Sequence, residues 1–206
     1  MGNDHGQLDY GWKNSSSSDC HSYVVPSILK LIPGNKLKIL DAGCGNGFLA
    51  NQLASRGHQV VGIDLSEDGI LLAKNNYFNI HFEKRSIYED LHDLGTDFDL
   101  IISSEVIEHL YYPQKFLNNI WSILRPEGYL ILSTPYHGWL KNSLIGILGL
   151  WDKHHTADWE GGHIKFFSVQ TIKESLLKSG YSNIVFNNAG RIRWLWKSMV
   201  VRAQKI

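Results

Sequence analysis

Only two cysteines occur in the 206 residues, and the chain has no net charge, twenty lysines and arginines matching twenty aspartates and glutamates. Cys20 and Cys44 are too few for a disulfide framework, and Cys44 lies within a run of glycines, which suits a reducing compartment. Neutrality removes the electrostatic footprint of a DNA-binding protein and counts against RNA as well. No apolar run is long enough to span a bilayer. The best stretch, WLKNSLIGILGLW at 139–151, is broken by Lys141 and Asn142. The opening MGNDHGQLDYGWKN lacks the apolar segment of a secretory signal. A cytoplasmic protein is expected. Acids are also missing locally: none follows Glu174, whereas Lys178, Arg191, Arg193, Lys197, Arg202 and Lys205 do. A solvated basic edge explains this, with an anionic ligand or lipid headgroups as the alternative.

What is present suffices for one substantial domain over 1–206, with 43% hydrophobic residues and 12% aromatics. The polar NSSSSD at 14–19 marks residues 1–20 as a flexible arm, and Tyr10 and Trp12 within it are candidates to fold over a site. No internal repeat is visible. Beyond the arm, short apolar runs alternate with helix-like segments. HSYVVPSILKLI reads as a helix containing Pro26, LKILDA as a strand ending in an acid, and GFLANQLASRG as a helix stopped by Gly57. QVVGID repeats the strand with a terminal acid, and SEDGILLAKNN is a helix with a serine cap. NIHFEKRS is a more polar strand suited to an edge, and FDLIISS a buried one. PQKFLNNIWSIL places Phe116, Leu117, Ile120, Trp121 and Leu124 on one helical face, before RPEG turns the chain into the strand YLILSTP. After the helix SVQTIKESLLKSG, the strands SNIVFNNA and SMVVRAQK are close enough to pair as an antiparallel hairpin at the sheet edge. The expected fold class is α/β: a seven-stranded, mostly parallel sheet with that C-terminal hairpin and helices on both faces.

The segment DAGCGNGFLA at 41–50 joins the first strand to the next helix. Its glycines let the backbone approach a ligand closely, and GNGFLA loosely fits the dinucleotide pattern, so NAD enters as one candidate. Asp41 immediately before the glycines would repel a pyrophosphate but suits an ammonium group. Asp64, ending the second strand, is placed to accept both hydroxyls of a ribose. S-adenosylmethionine, an adenosine with an amino-acid tail, satisfies both acids and is preferred to NAD.

Taken together, ILDAGCGNG, VVGIDLS, FDLIISSEVIEHL and LRPEGYLILSTP resemble, in order and spacing, the motifs of class I S-adenosylmethionine-dependent methyltransferases. The resemblance covers about residues 20–206 and implies a Rossmann-like fold. Within the class the chain is similar to the ubiquinone-biosynthesis O-methyltransferases, through E-x-x-E-H at 105–109 and GGHIKFF at 161–167. EVIEH is also similar to the small-RNA 3′-end ribose methyltransferases. The resemblance implies that Gly43, Cys44 and Gly45 line the methionine part of the cofactor, with Asp41 beneath its amino group. Asp64 would hold the ribose, Leu65 would flank the adenine, and Ser86 and Ile87 would meet the adenine edge. Ser103 and Ser104 would contact the methionine backbone. The ubiquinone enzymes carry an N-terminal arginine for the cofactor carboxylate; this chain has CHSYVV there, with His21 or Tyr23 as the available substitutes.

The acceptor side is less determined. An oxygen acceptor needs a base or a metal. Glu105, Glu108 and His109 would share one face if their turn were a regular helix. Two carboxylates and an imidazole suit Mg2+, Mn2+ or Fe2+, with His163 as the fourth ligand that the family element supplies. His163 is also the candidate catalytic residue. The alternative is that the acids merely begin a helix, where its dipole favours them. The insertion at 136–160, with Trp139, Trp151 and Trp159, is expected to be a lid over a small-molecule acceptor or a peripheral membrane contact through 139–151. O-methylation of a small molecule is the leading expectation. Methylation of RNA 3′-end ribose, and a cofactor-binding protein without its own activity, are the alternatives.

Overall fold

The apolar runs pair side by side, and the most hydrophobic of them occupy the middle. In a computed structural model describing residues 20–155 and 162–206, helix α1 (His21–Leu29) precedes β1 (Lys38–Ala42), α2 (Phe48–Ala54), β2 (Gln59–Asp64), α3 (Glu67–Asn76) and β3 (His81–Lys84). There follow β4 (Phe98–Ser104), α4 (Pro113–Ile123), β5 (Leu124–Pro135), α5 (Trp139–Ile147), α6 (Trp151–His155), α7 (Val169–Lys178), β6 (Tyr181–Phe186) and β7 (Ser198–Lys205). The strands form a seven-stranded sheet in the order β3-β2-β1-β4-β5-β7-β6. The β1–β2, β1–β4, β2–β3 and β4–β5 pairs are parallel. β7 runs antiparallel to both β5 and β6. This is the expected Rossmann-like sheet, with the polar strand β3 at one edge.

The C-terminal hairpin lies at the other edge, as expected, with β7 against β5 and β6 outermost. The inner place of β7 follows from its sequence, since Met199, Val200, Val201 and Ala203 are buried on alternating faces. One detail departs from expectation: Leu124 is not on a helical face. It opens β5, where a register shift opposite Phe98–Leu100 and a positive φ at Glu127 absorb the RPEG turn.

Two apolar layers sandwich the sheet. Phe116, Leu117, Ile120, Ile172 and Leu176 from α4 and α7 cover one face. Val24, Ile28, Leu49, Leu53, Ile70 and Ala73 from α1, α2 and α3 cover the other. Two residues of the basic tail help to hold this packing. The Arg202 guanidinium donates to the Leu31 carbonyl at 3.1 Å and lies over Tyr129. Lys205 donates to the Trp121 and Leu124 carbonyls at 2.7 and 2.6 Å and lies over the Trp121 ring. Among the described residues no helix is long and apolar enough to cross a membrane. The expected arm at 1–20, with Tyr10 and Trp12, and the insertion's Trp159 lie outside the described residues, apart from Cys20.

Candidate active site

All parallel strands point their C-terminal ends to one edge of the sheet, where ligands of open α/β sheets bind. The glycine loop leaves β1 there. Gly43, Gly45 and Gly47 adopt φ of 88°, 51° and 78°. A Cβ at Gly43 would fall 2.4 Å from Val106 Cγ2, so only glycine fits. The loop's N–H groups are already engaged. Those of Gly43 and Cys44 donate to the Ile63 carbonyl at 2.8 and 3.0 Å, and that of Gly45 to Asp64 Oδ2 at 2.8 Å. Gly47 N–H donates to the Cys44 carbonyl and Phe48 N–H to Asn46 Oδ1. A pyrophosphate cradle requires such amides to be free; here they are spent closing the loop onto β2.

Asp41 is the opposite case. It is 1% exposed, and neither carboxyl oxygen has a hydrogen-bond partner among the described residues. Burial, then the neighbouring Asp64, raises its pKa to about 7. A buried carboxylate without a donor is costly, and an ammonium group placed there would relieve both the desolvation and the repulsion. Asp64 also accepts Ser66 N–H at 2.8 Å, so it fastens the loop to the start of α3 in addition to any ribose contact. Cys44 is buried, with burial, Asp64 and Asp41 raising its thiol pKa, so it packs and does not react. Leu65 is half-buried beside Asp64. Ser86 and Ile87 are buried just beyond β3. Ser86 caps a local turn by accepting Tyr88 N–H at 3.2 Å. Ser103 is buried with an unpartnered hydroxyl, whereas Ser104 Oγ sits 3.1 Å from Ser133 Oγ. His21, from α1, stacks on Phe48 at 4.9 Å, immediately after the glycines, while Tyr23 lies beneath Lys197.

The second group of predicted residues meets at the end of β4. The chain there forms a 3₁₀ turn, Ile107–His109, not the regular helix expected. As a result Glu105 does not share a face with the others. It has φ 54° and accepts the Ser198 hydroxyl on Oε2 at 3.3 Å, leaving Oε1 buried and unpartnered. Glu108, His109 and His163 do converge, with a ligand atom from each within 4.8 Å of the others. Glu108 Oε1 is 4.0 Å from Nε2 of both histidines. The imidazoles meet edge to face at 4.9 Å. Backbone bonds bring His163 in, because Ile164 and Lys165 N–H both donate to the Glu108 carbonyl, at 3.0 and 2.9 Å. His109 Nδ1 is 3.2 Å from the Gly162 carbonyl, which leaves Nε2 facing the cluster.

The electrostatics of this group are dominated by burial. The Glu108 carboxyl is fully buried with no hydrogen bond of ordinary length among the described residues, and burial, then Glu105, pushes its pKa well above the usual range against partial relief from its own N–H and Thr134. Burial raises Glu105 to about 7. Burial, then His109, lowers His163 to about 4, so its imidazole is neutral at physiological pH. A neutral His163 imidazole beside a buried carboxyl group that a cation would hold ionised is the chemistry of a divalent metal site.

The structure adds residues that the sequence did not single out. The segment between β6 and β7 folds over the same edge, with Trp196 on Tyr136 at 5.2 Å. His137, His154 and His155 cluster beside Phe166, and Lys141 is buried on α5. Lys141 was legible only as a charge interrupting an apolar stretch.

Sheet order, glycine loop and strand-end acids together define the cofactor half of a class I S-adenosylmethionine-dependent methyltransferase. Residues 33–180 match the model of a methyltransferase domain family, and the chain belongs to that family. It is similar to the ubiquinone biosynthesis O-methyltransferase of Bartonella tribocorum, 32% identical over 76% of this chain and 64% of that protein. The human mitochondrial ubiquinone biosynthesis O-methyltransferase is 30% identical over 78% of this chain and 47% of that protein. This chain therefore spans less than two thirds of either relative. Among solved structures, magnesium protoporphyrin IX methyltransferase from Synechocystis with bound S-adenosylhomocysteine shares the fold, with TM-score 0.66 and 23% identity over 89% of this chain and 80% of that one. A methyltransferase of Corynebacterium glutamicum gives TM-score 0.62 at 22% identity over 88% of this chain and 86% of that one.

Proposed function

We propose that this protein is an S-adenosylmethionine-dependent O-methyltransferase acting on a small-molecule hydroxyl, a reading supported by its similarity to ubiquinone biosynthesis O-methyltransferases. The observation that carries this is the coexistence, at one sheet edge, of a buried unpartnered Asp41 carboxylate and the Glu108–His109–His163 cluster. S-adenosylmethionine supplies an electrophilic methyl group on a sulfonium. Asp41 holds the amino group of its tail, Asp64 its ribose, and Gly43 and Gly45 give it room. Leu65, Ser86 and Ile87 frame the adenine, and Ser103 and Ser104 lie along the methionine portion.

In the transfer, the acceptor oxygen forms a bond to the methyl carbon as the carbon–sulfur bond breaks, and the hydroxyl proton must leave. Glu108, His109 and His163 would hold a divalent metal such as Mg2+, with Glu105 close behind. A metal there supplies Lewis acidity toward the acceptor oxygen. Where no metal engages it, the neutral His163 imidazole would be the base that takes the proton. The described part of the insertion, 136–155, would close over the acceptor, and its outward apolar strip supports peripheral membrane contact. Both cysteines are free, which supports a cytoplasmic setting. The test is transfer of labelled methyl from S-adenosylmethionine to a panel of catechols, sugars and RNA ends. Transfer confined to RNA ends, or no transfer to any acceptor, would reject the proposal.

A further inference from the structure

We propose that Lys141 is the anion-recognition residue of the acceptor pocket, its ammonium binding a negatively charged oxygen on the methyl acceptor. The inference rests on the O-methyltransferase reading of this site and specifies the acceptor further.

Lys141 lies in the first turns of α5, directly after the C-terminal end of β5, and is 6% exposed. One of its three N–H groups donates to the Tyr136 carbonyl at 2.9 Å. The other two have no partner among the described residues. A lysine this deeply buried normally has a carboxylate against it, because an unpaired ammonium costs several kcal/mol. None lies within ion-pair distance among the described residues. Among the described residues Glu105 is the acid whose field reaches Lys141, and it is hydrogen-bonded to Ser198.

The rest of the neighbourhood has the same sign or none. Arg191, on the segment between β6 and β7, adds a second positive charge. His137, His154, His155 and His163 all feel the Lys141 charge. Burial, then Lys141, lowers His137 to about 4, so that ring is a neutral wall and not a competing cation. Burial lowers Lys141 itself to about 8, which leaves the ammonium mostly protonated at neutral pH. Lys141 is bonded to the Tyr136 carbonyl, and the next residue, His137, packs on Phe166, three residues after His163, so an anion on Lys141 would lie on the same side of the sheet edge as the Glu108 cluster. The complementary chemistry is an anionic oxygen, either a carboxylate on the acceptor or its own ionised hydroxyl. A structural strut between α5 and the end of β5 would need only the Tyr136 bond, and would not discriminate between acceptors by charge.

The test is calorimetric binding to the full chain saturated with S-adenosylhomocysteine. The probes are catechol, 3,4-dihydroxybenzoate, which adds a carboxylate, and 4-nitrocatechol, whose hydroxyl ionises near neutral pH. At least one charged probe should bind about ten- to a hundredfold more tightly than catechol, the range of a charge-assisted hydrogen bond. Which of the two gains identifies the anion. Lys141→Met should erase the advantage and Lys141→Arg should keep most of it, with Lys141→Gln replacing the Met variant if that one does not fold. Equal affinities for all three probes in the wild type, or a preference that survives Lys141→Met, would overturn the proposal. A Lys141-dependent preference in a protein that transfers no methyl would uphold the anion site while rejecting the transferase reading.

Discussion

Glu108 and His163 meet at the end of β4, Oε1 to Nε2 at 4.0 Å, and the backbone of the same Glu108 anchors the residues that follow His163. The turn therefore fixes one member of the cluster and recruits another. If the cluster holds a divalent metal, EDTA should stop methyl transfer without changing affinity for S-adenosylhomocysteine, and Mg2+ or Mn2+ should restore it. Glu108→Gln should lose most activity, and metal titration monitored by calorimetry should show weakened binding. Full activity after chelation would leave the cluster as a buried carboxylic acid between two histidines.

Asp41 gives a pH prediction. Its folded-state pKa of about 7 lies above the unfolded value near 4, so folding binds a proton between those limits. The stabilisation this provides is complete below pH ~4 and lost as pH rises through ~7. Asp41→Asn, which needs no proton, should thus be more stable than wild type at pH 8, by on the order of 2–4 kcal/mol. The gap should close toward pH 4. The same variant should bind S-adenosylhomocysteine more weakly, because the ammonium loses its counter-charge. Denaturant melts across pH and calorimetry check the two halves separately. A variant that is less stable than wild type at pH 8 would contradict the assignment of an uncompensated carboxylate.

Gly43→Ala should destabilise the fold by about 1–3 kcal/mol, from positive φ and from contact with Val106. The two causes are separable. Val106→Ala removes both Cγ atoms that the new methyl would strike, so in the double variant only the backbone strain should remain, about 1 kcal/mol. Strictly additive losses in urea melts would mean that the loop shifts instead of clashing.

The cofactor half was legible in the sequence because its chemistry is local. A strand-end acid followed by glycines is a contiguous statement, and alternation of apolar runs determines a parallel sheet. The edge hairpin was legible, but not the order of its two strands, since which of them neighbours β5 depends on burial of both faces of SMVVRAQK against helices distant in sequence. Grouping Glu108 with His163 required the family pattern, because their meeting is enforced by amides of Ile164 and Lys165 that carry no sequence signal. Glu105 was misplaced for a backbone reason: spacing of three and four implies one face only where the turn is α-helical, and a residue at φ 54° before a 3₁₀ turn breaks that rule. Lys141 looked like an interruption of an apolar helix, and only the fold shows it buried and bonded to the Tyr136 carbonyl.

The outward strip of the insertion supplies the last prediction. Ile147 is 81% exposed and Trp139 76%, with Leu148 and Trp151 also exposed. Apolar side chains this prominent on neighbouring helices are unusual for a surface that meets only water. Exposed Ile192 and Trp194 stand among the basic residues of the segment between β6 and β7, which suits anionic headgroups. Ile147→Asp with Leu148→Asp should leave stability within about 0.5 kcal/mol, since neither side chain is packed. Partition onto phosphatidylglycerol vesicles should weaken by about 2–4 kcal/mol, the transfer value of two such side chains. Transfer to a short water-soluble catechol should be unchanged, because that acceptor needs no membrane. Equal sedimentation of wild type and variant with vesicles would exclude the membrane contact and leave the strip to the lid alone.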